Sequence, residues 1–189
     1  KNCSPSARFL LVGSAAEYGL LSNENSPVSE LSPLRPFNIY GLTKINQKAL
    51  MDYYINSFSL NIVMARPFNL YGKGISSRLF IGKVYEEIES LKSGNISEIS
   101  LGNLDAQRDY ISIEDAVQHY IRIMDKGVAG EVYNVASGKP TKIKNMLNKI
   151  LDEENIDLSV VKANTRTVQA NDSDIIFADI SKLEGLYNE

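Results

Sequence analysis

Apolar residues along this chain fall into short continuous runs that alternate with longer amphipathic stretches. Two runs, residues 9–12 (FLLV) and 61–66 (NIVMAR), lack the alternation of a half-exposed strand, and Pro67 stops the second, which is typical of buried parallel strands. Between them, residues 38–58 repeat apolar positions at helical spacing. Strand, helix and strand in this order predict a βαβ crossover in an α/β fold.

The remainder of the chain continues this alternation of helices and strands. Polar residues 22–36 predict a loop after the first strand. Amphipathic spacing predicts further helices, and short apolar runs predict further strands. The predicted helices are 77–91, 114–126 and 141–153, the last capped by Thr141, and the predicted strands are 96–101, 108–113, 130–135 and 159–161.

Composition and charge exclude several classes of protein. Hydrophobic residues make up 43% of the 189 positions and charged residues 23%, an ordinary balance for a globular domain. The net charge of −3 and the pI near 5.3 predict no nucleic-acid partner. The apolar runs are far shorter than a membrane span, so we expect no membrane partner.

Cysteine and histidine are nearly absent. The single cysteine, Cys3, cannot form an internal disulfide, which suits a reducing, cytoplasmic location. The single histidine, His119, falls beside the apolar stripe of the predicted helix 114–126, so we expect a solvated surface residue. The sequence places no His, Cys or carboxylate cluster at metal-ligand spacing, and we predict no metal site.

A tyrosine, a lysine and a serine form the candidate catalytic group. Tyr40 and Lys44 are four residues apart in residues 38–44 (NIYGLTK), so they share one face of a helix. The Lys44 cation favours the phenolate form of Tyr40. Ser14, in residues 13–19 (GSAAEYG), adds a hydroxyl that can hydrogen-bond the oxygen that gains or loses a proton. Tyr-x-x-x-Lys is a weak motif by itself, so the neighbouring motifs decide its weight.

Five short motifs occur in a recognisable order. They are residues 13–19, 40–44 (YGLTK), 65–72 (ARPFNLYG), 108–111 (RDYI) and 133–138 (YNVASG). The series resembles the extended short-chain dehydrogenase/reductases, the NAD-dependent epimerase/dehydratase family that acts on nucleotide sugars, and the resemblance spans nearly the whole chain. Within that family, residues 13–19, 102–109 and 130–135 are most similar to reductases of GDP-4-keto-6-deoxy-mannose.

The resemblance implies a doubly wound Rossmann sheet with a small C-terminal α/β substrate lobe. Residues 1–70 would form the C-terminal half of the NAD(P)-binding domain, and residues 71–189 mainly the substrate lobe, with 108–136 returning to the Rossmann sheet. No Gly-x-Gly-x-x-Gly turn follows a strand here, so we expect the N-terminal part of the fold to be missing from this chain. We therefore expect residues 1–189 alone to bind dinucleotide poorly and to be inactive.

The resemblance also assigns roles to the catalytic group. Tyr40 would be the general acid/base at the sugar C4 oxygen, Lys44 would favour its ionisation and bind the nicotinamide ribose, and Ser14 would hydrogen-bond the same C4 oxygen. NAD or NADP would be the cofactor, held by these three residues and Pro67. The residue that distinguishes the two cofactors follows the second strand of the family's fold, which we expect to lie in the missing part.

Several polar residues are candidates for substrate binding. Arg108 suits the diphosphate of a nucleotide sugar, because a guanidinium makes bidentate phosphate contacts. Arg78 would add charge in the same cleft, and Asn69 would touch the sugar or phosphate where the two lobes meet. Glu17 has two open interpretations, a ligand for a sugar hydroxyl or a solvated loop carboxylate. We expect Arg66 to be structural.

Ala15 and Ala16 bear on the reaction type. The family's 4,6-dehydratases resemble each other in carrying acidic residues directly after the Ser/Thr, because loss of water needs its own acid and base. Alanine has no proton to give, so this pattern argues against a dehydratase.

The leading expectation is an NAD(P)-dependent nucleotide-sugar 4-ketoreductase that acts on a GDP-4-keto-6-deoxy-hexose. A nucleotide-sugar C4 epimerase is the first alternative, because it uses the same Tyr, Lys and Ser. A non-catalytic nucleotide-binding relative is the second, which the presence of Tyr40 and Lys44 disfavours. The family also implies a homodimer formed through the helix that bears these two residues.

Overall fold

The structure, a computed structural model, describes residues 7–21, 23–102, 104–163 and 175–188. Cys3, on which the expected compartment rests, and Asn103, within the motif at residues 102–109, lie outside the described residues. The described elements confirm the predicted α/β class, with helices connecting mainly parallel strands.

Three parallel strands form the sheet that carries the candidate catalytic group. They are β1 (Arg8–Val12), β2 (Asn61–Pro67) and β6 (Val132–Val135), in the order β1-β2-β6. Helix α1 (Ile39–Phe58) connects β1 to β2, so the predicted βαβ crossover is confirmed. Strand β6 continues the sheet in parallel beside β2.

Alternating side chains of β2 pack on opposite faces of this sheet. Val63 and Ala65 have no exposed surface and pack in one cluster with Ala116 and Ile123 of α3 (Ile113–Lys126). Met64 and Arg66 point to the other face, as the two-residue period of a strand requires. Helix α1 contacts β2 and the 3₁₀ turn Ala15–Glu17. Coverage on both faces explains why β2 has a nearly continuous apolar run.

The remaining strands belong to two further sheets, one of four strands and one of two. In one of them, β3 (Asn69–Tyr71) pairs in parallel with β5 (Gln107–Ser112), which also pairs with β7 (Pro140–Lys142) and β9 (Ile175–Ile176). In the other, β4 (Ile99–Leu101) pairs in parallel with β8 (Val161–Ala163). Three helices complete the described residues: α2 (Phe80–Lys92), α4 (Ile143–Glu153) and α5 (Ser181–Gly185).

The second half has its own apolar core. Helices α2 and α4 pack against β4 and against Tyr110 of β5. Burial raises the pKa of Tyr110 to about 12, and nearby Arg108 only partly opposes this shift. The buried residues of this core are Ile81, Val84, Ile88, Ile99, Leu101, Tyr110, Met146, Leu147, Ile150 and Leu151.

Two local predictions, the cap of α4 and the start of β8, need correction, and the division of the chain into domains stays a prediction. Thr141 does not cap α4, because it lies in β7 opposite Arg108, and the helix begins after Lys142 without a side-chain cap. The strand predicted at 159–161 starts later, as β8, after a 3₁₀ turn. Of the segment 108–136, β5 lies in the second sheet, whereas α3 packs on the first sheet and β6 belongs to it. The proposed domain boundaries stay a prediction.

The described part of the chain contains no helix long and apolar enough to cross a membrane. Nor do its residues form a group of three or more His, Cys, Asp or Glu side chains able to hold a metal ion.

Candidate active site

Ser14 sits in a tight turn at the carboxyl end of β1. Its backbone is extended, and it is the N-cap of the 3₁₀ turn Ala15–Glu17. The Ser14 Oγ accepts a hydrogen bond of 3.2 Å from the Ala16 amide. The preceding Gly13 amide donates to the Ala65 carbonyl at 2.7 Å, which ties the turn to β2. We call residues 14–17 the Ser14 turn.

The first turn of α1 brings Tyr40 to the Ser14 turn. Asn38 caps the helix, its Oδ1 accepting from the Gly41 amide at 2.8 Å. Gly41 is buried against the Ser14 turn, where an added Cβ would lie only 2.3 Å from the Ala16 carbonyl oxygen. This close approach requires glycine. Tyr40, beside it, keeps 52% of its surface exposed.

Lys44 extends from the second turn of α1 towards the end of β1. Its Nζ donates to the Val12 carbonyl at 2.8 Å and to Gln47 Oε1 at 3.3 Å. The same atom lies 5.7 Å from the centre of the Tyr40 ring, within the range of a cation–π contact. Thus the structure brings together the predicted Tyr40 and Lys44, on the helix whose Gly41 packs on the Ser14 turn.

Glu17 is buried, which corrects both interpretations of it from the sequence. Its side chain has no exposed surface and forms an ion pair with Arg66, which is 2% exposed. Glu17 Oε2 accepts from Arg66 Nε at 3.0 Å and Nη2 at 2.7 Å, while Oε1 accepts from the Ser14 amide at 2.8 Å. It is therefore not a solvated carboxylate, and its oxygens are occupied inside the protein rather than facing a sugar. Arg66 is structural, as expected.

Two further residues, Tyr18 and Asn134, complete this buried network. Arg66 Nη1 donates to the Tyr18 hydroxyl at 2.8 Å, and that hydroxyl donates to Asn134 Oδ1 at 2.7 Å. Burial raises the pKa of Tyr18, and the Arg66 charge only partly opposes this effect. We did not single out either residue from the sequence, although both lie within the quoted motifs at 13–19 and 133–138.

The substrate-binding candidates lie on other elements. Asn69 begins β3 and donates through Nδ2 to the Asp109 carbonyl at 2.8 Å. Arg108, on the adjacent β5, is half-buried and donates to the Gln107 carbonyl at 2.9 Å. The structure thus brings Asn69 and Arg108 to neighbouring strands. Arg78 is on neither strand and is exposed in the turn before α2.

Asp109 is a second buried carboxylate that the sequence analysis missed. It has no exposed surface and accepts hydrogen bonds from three backbone amides and one hydroxyl. The donors are Ser137 N at 2.8 Å, Ser137 Oγ at 2.7 Å, Gly138 N at 3.0 Å and Ala178 N at 3.2 Å. Asp109 therefore fixes β5, which carries Arg108, to the turn after β6 and to the residues after β9.

Residues 1–185 match the family model described as GDP-mannose 4,6 dehydratase. The chain belongs to this family. GDP-6-deoxy-D-mannose reductase of Pseudomonas aeruginosa is 28% identical over 166 residues, which are 87% of this chain and 55% of that protein. GDP-6-deoxy-D-talose 4-dehydrogenase of Aggregatibacter actinomycetemcomitans is 27% identical over 176 residues, or 92% of this chain and 56% of that protein.

A solved member of the NAD-dependent epimerase/dehydratase family has the same fold as this chain. The structure of RMD from Pseudomonas aeruginosa complexed with NADPH superposes with a TM-score of 0.85 at 25% identity, over 97% of this chain and 61% of that one. The family resemblance and fold inferred from the motifs are confirmed. The chain spans about half the length of the curated family members it matches.

His119, expected to be a solvated surface residue, lies on α3 and is partly exposed. It is half-buried, and its Nδ1 is 2.8 Å from the Tyr187 hydroxyl. Burial lowers its pKa, and the nearby Asp115 carboxylate only partly opposes this shift. His119 also lines a cavity of about 450 Å³ with Tyr187, Ser112 and Ser137. Tyr40, Lys44 and Ser14 do not line this cavity.

Proposed function

We propose that the whole protein to which this chain belongs is an NAD(P)-dependent nucleotide-sugar 4-ketoreductase that acts on a GDP-4-keto-6-deoxy-hexose. The observation that carries this proposal is the position of the Lys44 ammonium, which donates to the Val12 carbonyl at the end of β1 and lies 5.7 Å from the centre of the Tyr40 ring. A reductase of a GDP-6-deoxy sugar among the curated relatives supports the substrate class.

The residues present fit a nicotinamide dinucleotide. Tyr40 is half exposed, and Lys44 reaches the carbonyl at the end of β1. Both polar groups lie at the carboxyl ends of parallel strands, where doubly wound folds bind dinucleotides. Pro67 ends β2 at the same edge. We assign these residues and Ser14 to cofactor binding, and the relative solved with NADPH supports the assignment.

The chain's own residues then supply the proton and the polarisation. When bound, NAD(P)H supplies the hydride that reduces the C4 carbonyl carbon and is itself oxidised to NAD(P)⁺. Tyr40 gives its phenolic proton to the C4 oxygen, and the Lys44 cation stabilises the phenolate left behind. The Ser14 hydroxyl accepts from the Ala16 amide and keeps its own hydrogen, which would donate to the same C4 oxygen.

The substrate phosphates would meet the neighbouring strands β3 and β5. Arg108 is the candidate for the diphosphate, and Arg78 adds a second guanidinium from the turn before α2. Asn69 uses one amide hydrogen on the Asp109 carbonyl, so its second amide hydrogen would donate to a phosphate oxygen, or its amide oxygen would accept from a sugar hydroxyl. Glu17 is not part of this set, because its carboxylate is buried against Arg66.

Reduction is favoured over dehydration by the residues after Ser14. Ala15 and Ala16 carry no acid or base, and the carboxylate of Glu17 is turned into the protein. Loss of water from C5 and C6 needs such groups beside those carbons. The family's description as a dehydratase therefore does not extend, in this proposal, to the reaction of this protein.

We also propose a homodimer formed through α1. This helix buries Gly41 and Met51 but leaves Leu50, Tyr53 and Phe58 about half exposed. Exposed apolar patches of this kind mark interfaces. Sedimentation of the whole protein at the mass of a monomer would contradict the dimer.

The direct test mixes the whole protein with GDP-4-keto-6-deoxy-mannose and NADH or NADPH and follows the absorbance of the reduced cofactor. The wild type should consume it, and Tyr40→Phe should lose at least about a hundredfold in rate because the proton donor is gone. A C4 epimerase would convert its nucleotide sugar with no net consumption of the reduced cofactor. If the wild type consumes no reduced cofactor, the reductase proposal is wrong.

A further inference from the structure

Both the backbone amide and the side-chain hydroxyl of Ser14 form hydrogen bonds within the Ser14 turn. The Ser14 amide donates to Glu17 Oε1 at 2.8 Å, and the Ser14 hydroxyl accepts from the Ala16 amide at 3.2 Å. This reciprocal arrangement is a capping box. It fixes the backbone of Ser14 and the direction of its hydroxyl with the same three-residue turn.

Glu17, in turn, is fixed by the middle strand of the sheet. Its second oxygen accepts two hydrogen bonds from Arg66, and neither side chain is more than 2% exposed. Arg66 lies on β2, which is bonded to β1 on one side and to β6 on the other. The Glu17 carboxylate therefore connects the Ser14 amide to the most constrained strand of the sheet.

The same turn also sets the distance to α1. Gly41 packs directly on the Ala16 carbonyl, and Lys44 donates to the Val12 carbonyl two residues before Ser14. A shift of the Ser14 turn would therefore move the serine hydroxyl relative to Tyr40. The position of the turn rests on the ion pair beneath it.

We propose that Glu17 is the positioning residue for Ser14, and that the Glu17–Arg66 ion pair holds the serine hydroxyl at the C4 oxygen of the substrate. The inference rests on the proposed function for the identity of that oxygen. Glu17 acts without touching substrate or cofactor, because its two oxygens are occupied by Ser14 and Arg66. A displacement of about 1 Å at a reacting group can reduce a rate about a hundredfold.

The main test replaces the ion pair by apolar residues of similar volume, Glu17→Leu with Arg66→Met, in the whole protein. Such exchanges often keep a protein folded, because no buried charge is left unpaired. We expect kcat to fall roughly 10- to 100-fold with the KM for the nucleotide sugar changed less than about twofold, since its sugar and phosphates would be held mainly by Arg108, Arg78 and Asn69. Lys48→Gln with Asp52→Asn removes a partly exposed ion pair of α1 and is the matched control. It should leave kcat unchanged.

A double-mutant cycle separates positioning from general stability. Ser14→Ala alone should lower kcat, and adding the Glu17→Leu/Arg66→Met exchange should lower it no further, because both changes remove the same contribution. Multiplication of the two effects would contradict the proposal. If the Glu17→Leu/Arg66→Met variant does not fold, Glu17→Gln takes its place in the same cycle, because glutamine keeps the side-chain volume and one acceptor oxygen of Glu17.

Hydrogen exchange gives a readout that does not need activity. In the Glu17→Leu/Arg66→Met variant, the Ser14 amide hydrogen should exchange with solvent at least about tenfold faster, because its acceptor is gone. The Met64 amide, which donates to the Glu131 carbonyl at 3.0 Å, should stay protected. Unchanged protection at Ser14 overturns the positioning role even if the wild type proves not to be a reductase. A wild type without reductase activity but with the expected loss of protection overturns only the proposed function.

Discussion

Glu17 and Asp109 are both carboxylates without exposed surface, yet the protein holds them in different ways. Glu17 faces a guanidinium and forms a buried ion pair with Arg66. The hydrogen bonds that Asp109 accepts come from neutral donors, namely three backbone amides and the Ser137 hydroxyl. Burial of a charge is costly unless it is paired or well hydrogen-bonded, and each residue shows one of these two solutions.

The two solutions serve different parts of the molecule. The Glu17 ion pair lies under the turn that carries Ser14, so it bears on the position of a candidate catalytic hydroxyl. Asp109 joins β5 to residues Ser137, Gly138 and Ala178, which belong to distant parts of the chain. The comparison indicates that Glu17 positions the candidate catalytic hydroxyl of Ser14. Asp109 instead holds together segments beside the candidate phosphate ligand Arg108.

Glu17→Leu alone should give the largest effect on stability, because it leaves the buried Arg66 cation without a partner. Breaking a buried pair from one side costs roughly 3–5 kcal/mol. Urea unfolding of the wild type and the variant measures the loss. Adding Arg66→Met should restore most of it, and a loss that persists in the double variant would contradict the role of the orphaned charge.

Asp109→Ala should destabilise the protein by somewhat less, about 2–3 kcal/mol, because the donors it leaves unsatisfied are neutral. The same urea experiment measures the change. Asp125→Asn is the control, since Asp125 is exposed and its contact with Arg122 is long, at 3.8 Å. A loss no larger than that of the control would show that the four hydrogen bonds to Asp109 contribute little.

Glu154 offers a third carboxylate for the comparison, and we expect its effect to be the smallest. Hydrogen bonds from Lys73 and Lys92 lower its pKa from 4.5 to about 2. A lowered carboxyl pKa contributes stability that is fully present above pH 4.5 and is lost as the pH falls through about 2. The stability difference between wild type and Glu154→Gln should therefore narrow as the pH falls over this range.

Unfolding free energies of both proteins, measured at several pH values and at low salt, check this prediction. Added salt should reduce the difference at neutral pH, since Lys73 is largely exposed and its charge is screened. A stability difference that is independent of pH would contradict the ion pairing.

The β1–α1–β2 unit could be predicted from the sequence because its patterns are long and strong. Strands β7 and β9 were missed, since three and two residues carry too little pattern to separate a strand from a loop. Thr141 was read as a cap because its side chain suits one, but pairing of its backbone with β5 decided otherwise.

In the candidate site, too, features with local sequence patterns could be predicted, whereas features that depend on distant residues could not. Tyr40, Lys44 and Ser14 could be proposed from the sequence because their spacing and motifs are local. The burial of Glu17 depends on Arg66, 49 residues away, and on a sheet that brings the two together. A carboxylate in a polar motif is predicted to be exposed unless its partner is known. The sequence alone therefore could not predict the burial of Glu17.

Isotope transfer tests the proposed reduction most directly. The whole protein would be given GDP-4-keto-6-deoxy-mannose and NAD(P)H that carries deuterium at the transferred position, and the sugar product would be examined by NMR. A 4-ketoreductase should place one deuterium at C4 for each cofactor oxidised, and Tyr40→Phe should abolish the transfer. Sugar converted without deuterium at C4, or with no cofactor oxidised, would contradict the reductase function.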